Sequence, residues 1–262
     1  MKHKKHFSKI LVTVSIIALV FTFAHVITTI RNVPEQPLPR TGVPHFPPDP
    51  ERPLSLLELI TQPPASGLCV PASIAMVENF FFGESNTLED IFDHVYNPSR
   101  TGSATHRIPN YMESIGLHAN MIMFRNLRAM LLYLEKNQIP AIFSLSTHIG
   151  ANSLAGHAVV FTGYDAENDI ISILDPADPL RTSIRFNCLE KYFVRIVYDS
   201  VTFGNVMIIA TNQINTEIET FCRECNHRVT LDLDIIPATY FVRCSNCGHP
   251  INTFTARWNR PQ

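Results

Sequence analysis

The sequence carries almost no net charge. Its 21 Lys and Arg nearly balance 23 Asp and Glu, leaving a formal charge of −2, which gives no reason to expect a polyanionic partner such as nucleic acid. It has no ATP-binding motif. Beyond residue 30 it has no second uncharged run of membrane-spanning length. Charged residues are only 17% of the chain and apolar ones 45%, ordinary for a globular protein with one membrane segment. At 262 residues the chain is long enough for one full core and a small appendage.

What is present begins at the N-terminus. Lys2, Lys4, Lys5 and Lys9 precede a run from Ile10 to Ile30 that holds no formal charge with His25 neutral. That length suits the ~20 residues needed to cross a hydrocarbon core. No small-x-small cleavage site closes it, so an uncleaved signal anchor over residues 1–31 is expected, with a cleaved signal as the alternative. The lysines place the N-terminus in the cytoplasm and the rest outside it, periplasmic or extracellular. Residues 32–54 hold eight prolines and read as a stiff, extended spacer.

The chain is organised around Gln62 to Met76. The first half of that stretch is rich in turn formers. From Val70 to Phe82 apolar residues dominate every face, interrupted only by Ser73, Glu78 and Asn79. Such a pattern predicts a buried helix, with Pro71 in its first turn and Gly83 as its stop. Cys69 then sits at the helix N-terminus, where the local positive potential favours a thiolate. A buried structural cysteine is the plainer reading of a lone thiol. Two later stretches weigh against it. Gly156 to Asp165 reads as a strand opening on His157, and Ile170 to Leu174 as the next strand, followed by Asp175. If the strands are antiparallel neighbours joined by a turn at Glu167-Asn168-Asp169, His157 and Asp175 lie at one end of the sheet. One imidazole nitrogen can then take a thiol proton while the other bonds the carboxylate.

These residues carry a resemblance. Gln62, Cys69-Val70-Pro71-Ala72-Ser73, Gly156-His157-Ala158-Val159-Val160 and Ile173-Leu174-Asp175-Pro176 together resemble the papain-like peptidases that remove double-glycine leaders from bacteriocins. The resemblance covers roughly residues 55–210 and includes a helix ending near Gly116 and Ile139-Pro140-Ala141-Ile142 before a strand. It implies an α+β fold with N-terminal helices and a C-terminal antiparallel sheet, forming a domain over 55–212. It also implies a peptide or protein substrate, with Cys69 as nucleophile, His157 as base, Asp175 as orienting group and Gln62 as an oxyanion-hole donor beside the Cys69 N–H. Val70 departs from the glycine usual after the nucleophile. Without ATP-binding or transporter segments, the chain is not expected to be a full peptidase-transporter. A non-cleaving peptide-binding module, and another amide hydrolase or acyl transferase on the same triad, are the alternatives.

Elsewhere, Thr87 and Asn126 are expected to cap helices, the second over Leu127 to Lys136. Leu117 to Phe124, Ile139 to Ser146 and Asn205 to Ala210 read as strands, the last as the closing one. Phe186 to Phe193 reads as a short helix with Cys188 in the core. His106, His118 and His148 read as surface histidines. The tail, 216–262, reads as a separate unit. Cys222-x-x-Cys225 and Cys244-x-x-Cys247, 18 residues apart, have zinc-ribbon spacing, and four thiolates would close a structural Zn site with no catalytic role. Two disulfides are the alternative, since exported cysteines tend to oxidise. A protein partner for the ribbon is a further expectation, and no cofactor is expected at the catalytic residues.

Overall fold

The computed structural model describes residues 52–64, 66–97, 102–103, 105–124, 126–146, 156–193, 196–198, 201–203, 206–212, 217–232 and 239–252. The chain divides into two units, Met1–Pro39 and Arg40–Gln262. The first unit lies wholly outside the described residues, and with it the Ile10–Ile30 run; so does the proline-rich spacer up to residue 51. Among the described residues no helix is long and apolar enough to cross a membrane.

Helix α1 spans Cys69–Phe82 and ends on Gly83, whose φ of 78° is the left-handed C-cap conformation, one that glycine adopts without steric cost. Twelve of its residues are buried, as the all-round apolar pattern requires. Helix α2, Leu88–Val95, starts on Thr87, whose side chain accepts from the Asp90 N–H. Short strands β1, Tyr96–Asn97, and β2, Gly102–Ser103, pair with each other. Helix α3 is Ile108–Ser114. Helix α4, Leu127–Lys136, is capped by Asn126, which accepts from the Ala129 N–H.

The remaining strands are β3, His118–Phe124; β4, Ala141–Leu145; β5, His157–Asp165; β6, Ile170–Leu174; β7, Ser183–Arg185; β8, Ile196–Tyr198; β9, Val201–Phe203; β10, Val206–Thr211; β11, Glu217–Phe221; β12, Arg228–Asp232; β13, Thr239–Arg243; and β14, Pro250–Asn252. Eight of them form one sheet in the order β14-β13-β3-β10-β4-β5-β6-β7. Every pairing in it is antiparallel. The architecture is α+β. The strand expected to close the sheet instead runs through its interior, since β10 lies between β3 and β4.

β5 is buried on both faces over its first five residues, the signature of a strand covered on both sides. Helices α1 and α4 both pack on it. Phe143 stacks near Phe161 and Phe193, with centroids 5.7 and 5.3 Å away, and Phe193 meets Phe124 edge-on at 5.2 Å. This aromatic cluster ties β3, β4 and β5 into one core. Phe193 follows a helix shorter than expected, α5, Phe186–Leu189. Cys188 on α5 is half-buried, not the core residue that the sequence suggested.

β13 and β14 fall within the expected 216–262 unit, yet they extend the main sheet. β13 pairs with β3 from Thr239 to Arg243. The reason lies in β3, buried at every position after His118. An edge strand apolar on both faces would be left unpaired along one side, and β13 covers it.

Candidate active site

The candidate site residues come from three elements that converge at one end of the sheet. Cys69 opens α1. Its N-cap, Leu68, supplies no side-chain cap, so the positive end of the helix is left to the thiol. Cys69 is buried at 7% exposure and Val70 at 8%. His157 opens β5, and Asp175 follows the last residue of β6. In the β5–β6 register Val160 stands opposite Leu174, so Asp175 falls opposite Val159. The alternation of strand side chains then puts it on the same face as His157.

His157 Nε2 and Asp175 Oδ1 are 2.7 Å apart with both side chains buried. The other ring nitrogen is Nδ1, and Cys69 acts on the same ring. Burial opposes a charge on His157, but the hydrogen bonds to Asp175 and Cys69 and their charges outweigh it and raise the imidazole to about 9. Burial likewise pushes the Asp175 carboxyl up. The His157 bond and charge, with N–H donation from Ala177 and Asp178, overcome that and hold it below the usual carboxylate range. Those N–H groups reach Oδ1 at 2.9 and 3.3 Å, a turn that fixes the carboxylate from its own loop. The geometry thus favours an imidazolium beside the Cys69 sulfur.

Gln62 lies on the segment leading to Cys69. Its backbone N–H donates to Pro176 O at 3.0 Å, which stitches the segment to the Asp175 loop. Its buried Oε1 has no hydrogen-bond partner among the described residues. The Pro176 carbonyl and the Asp178–Arg181 ion pair, 3.2 Å, also stiffen that loop. The sequence signalled neither, because any residue could supply that carbonyl and the pair depends on the turn.

The other histidines stand apart from these residues. His118 begins β3, three strands from β5. His106 packs beside Gly248 of the tail. His148 lies outside the described residues.

A second cluster lies in the tail. The Sγ atoms of Cys222, Cys225, Cys244 and Cys247 all fall within 4.8 Å of one another. Cys222 approaches Cys247 at 3.5 Å and Cys225 approaches Cys244 at 3.6 Å, and no disulfide joins them in this structure. A tetrahedral tetrathiolate ion with ~2.3 Å bonds needs sulfurs about 3.8 Å apart, so the residues fit a structural metal. The knuckles match each other. The Cys222 N–H donates to His227 O and the Asn226 N–H to Cys222 O; the Cys244 N–H donates to His249 O and the Gly248 N–H to Cys244 O. Asn226 and Gly248, which follow the second cysteine of each pair, are both left-handed, at φ 56° and 74°.

A cysteine at a helix N-terminus facing a buried His–Asp pair on an antiparallel sheet defines a class, the cysteine-type peptidases. Residues 56–203, more than half of the chain, match the model of the Peptidase_C39 like family, and the chain belongs to that family. Among solved structures, a double glycine motif protease from an AMS/PCAT transporter, crystallised in complex with the leader peptide, matches with a TM-score of 0.44 at 21% identity, over 62% of this chain and 96% of that one. No curated protein matches the chain.

Proposed function

We propose that the protein hydrolyses peptide bonds through a Cys69–His157–Asp175 triad. The buried His157–Asp175 contact beside Cys69 carries this reading. The Cys69 thiolate attacks the scissile carbonyl carbon and forms a C–S bond, and the carbonyl oxygen takes up negative charge. The Cys69 N–H and the Gln62 side-chain amide are the donors for that oxygen. The His157 imidazolium gives its proton to the leaving amine as the C–N bond breaks, leaving a thioester. Water then attacks the thioester while neutral His157 takes its proton. The C–S bond breaks, and the carboxylic product and the thiolate–imidazolium pair are released. Asp175 holds the ring in place and stabilises its protonated form throughout.

The uncharged Ile10–Ile30 run behind four lysines supports a membrane-anchored enzyme with its catalytic residues outside the cytoplasm. The thiol geometry supports zinc held by Cys222, Cys225, Cys244 and Cys247. Zinc there closes its shell with thiolates and supplies folding energy, not an activated water. Coordination also shields thiolates from oxidation outside the cytoplasm. A thiol electrophile followed by mass spectrometry tests the central claim. Cys69 should be modified first, Cys69→Ala should abolish cleavage with the fold intact, and His157→Ala should come close to doing so. Modification of half-buried Cys188 ahead of Cys69 would refute the choice of nucleophile. Full turnover by Cys69→Ala would leave a differently catalysed hydrolysis in its place, and no cleavage by the wild-type protein a non-cleaving peptide-binding module.

A further inference from the structure

We propose that the four-cysteine cluster clamps the edge of the peptidase's own sheet, so that a metal bound there controls order in β3 and α3. The inference rests on the metal reading above.

The second knuckle is the turn of the β13–β14 hairpin: Arg243 ends β13 immediately before Cys244, and Pro250 begins β14 three residues after Cys247. That hairpin is the outermost pair of the main sheet, with β13 hydrogen-bonded to β3. The first knuckle is the turn between β11 and β12, which form a two-stranded sheet of their own. Four sulfurs on one ion would therefore join a small separate hairpin to a strand of the catalytic sheet.

The cluster also docks on the peptidase helices. Asn110 on α3 donates through Nδ2 to the Ser245 carbonyl at 3.1 Å, and Ser245 is 4% exposed. Ser245 Oγ lies 3.0 Å from His227 Nε2, which links that contact to the first knuckle. At Gly248 a Cβ would stand 3.3 Å from the His106 ring, so the knuckle backbone lies close against the Thr105–Arg107 turn that leads into α3. α3 in turn packs on β3 and β10. Metal loss releases β13–β14 from its partner hairpin and exposes the buried flank of β3. The cluster remains remote from the chemistry: four strand steps separate β13 from β5, about 19 Å at ~4.8 Å per step.

The test uses the full chain. Metal content and free thiols are measured first. The protein is then stripped with chelator under reducing conditions, and hydrogen exchange is followed by mass spectrometry in β13–β14, β3 and α3, with β6–β7 as the remote reference. Exchange in β3 and α3 should rise several-fold with that in the knuckles while β6–β7 stays unchanged; an equal rise in β6–β7 would mean general destabilisation and would overturn the clamp. Asn110→Ala keeps all four cysteines and should hold its metal about fivefold less tightly in equilibrium competition with a chelator, the scale of one lost hydrogen bond, because linkage is reciprocal. Unchanged exchange in β3 and α3 after metal loss, or wild-type metal affinity in Asn110→Ala, would overturn the clamp while leaving the metal reading standing. A chain that carries no metal and two disulfides would overturn both, and the initial metal and thiol count identifies that case.

Discussion

Replacing Asp175 by Asn isolates the carboxylate's part in the site. His157 is raised from an ordinary 6.5 to about 9, which at about 1.4 kcal/mol per unit makes roughly 3 kcal/mol in favour of the imidazolium. Cys69 contributes part of that, so the Asp175 share is smaller. Asn keeps the shape but not the charge, and burial, which alone disfavours the charged ring, then dominates. In the proposed mechanism the nucleophilic form of Cys69 relies on that imidazolium. Asp175→Asn should therefore slow alkylation of Cys69 by iodoacetamide at about pH 7 by about 10- to 100-fold, read as the rate of mass gain on the intact protein. The pH dependence follows from both partners. The raised His157 value adds stability that is complete below its ordinary 6.5 and is lost as pH rises through about 9. The lowered Asp175 value adds stability present above its ordinary 3.8 and lost as pH falls through the lowered value. The pair is intact across the neutral range, and wild-type reactivity should extend well to the acid side. A variant profile that superimposes on wild type would refute the argument, since Asp175 would then contribute nothing to the charged ring.

Gln62→Ala should lower kcat by about 10²–10³ with little change in KM if its amide is an oxyanion donor; steady-state kinetics that show only a higher KM would make it a substrate contact instead. Tyr111→Phe removes the hydroxyl that donates to the buried Glu78 carboxylate, whose pKa burial already raises. It should cost about 1–3 kcal/mol, seen as a lower Tm, and an unchanged Tm would show that Asn86 alone satisfies Glu78. Asn126→Ala should cost about 1 kcal/mol through loss of the α4 cap and leave Cys69 alkylation unchanged; a slower alkylation would mean that α4 transmits strain to β5.

Local chemistry was legible in the sequence. The span and stop of α1 follow from its apolar pattern and Gly83, and the Thr87 and Asn126 caps from single side chains. The β5–β6 hairpin follows from two strand patterns and a polar turn, and it carries His157 and Asp175 to one end of the sheet. What the sequence hid depends on partners far along the chain. The placement of β10 between β3 and β4 leaves no local mark. The union of β13 with β3 left one sign that could have been read: His118–Phe124 has too few polar positions for an edge strand. The helix at Phe186 was overextended because Phe193 is apolar for a different reason, its bridge to Leu145 beside the aromatic core. The Glu78–Tyr111–Asn86 network escaped notice because a glutamate in an apolar helix shows no sign of the tyrosine that will meet it.

The position of β10 also sets a schedule. β3 and β4 are joined in sequence through α4, yet the strand that pairs with both arrives only at Val206–Thr211. The thiol, the imidazole and the carboxylate all precede it along the chain, so a growing or threading polypeptide possesses its reactive groups before the middle of its sheet can close. Pairing over such sequence separation is slow, because loop entropy is lost before contacts repay it. In refolding, β3 and β4 should gain protection in pulse-labelled exchange together with β10 and not before it. A chain made in that order carries Cys69, His157 and Asp175 before the middle of its sheet is complete, and β13 and β14 follow later still.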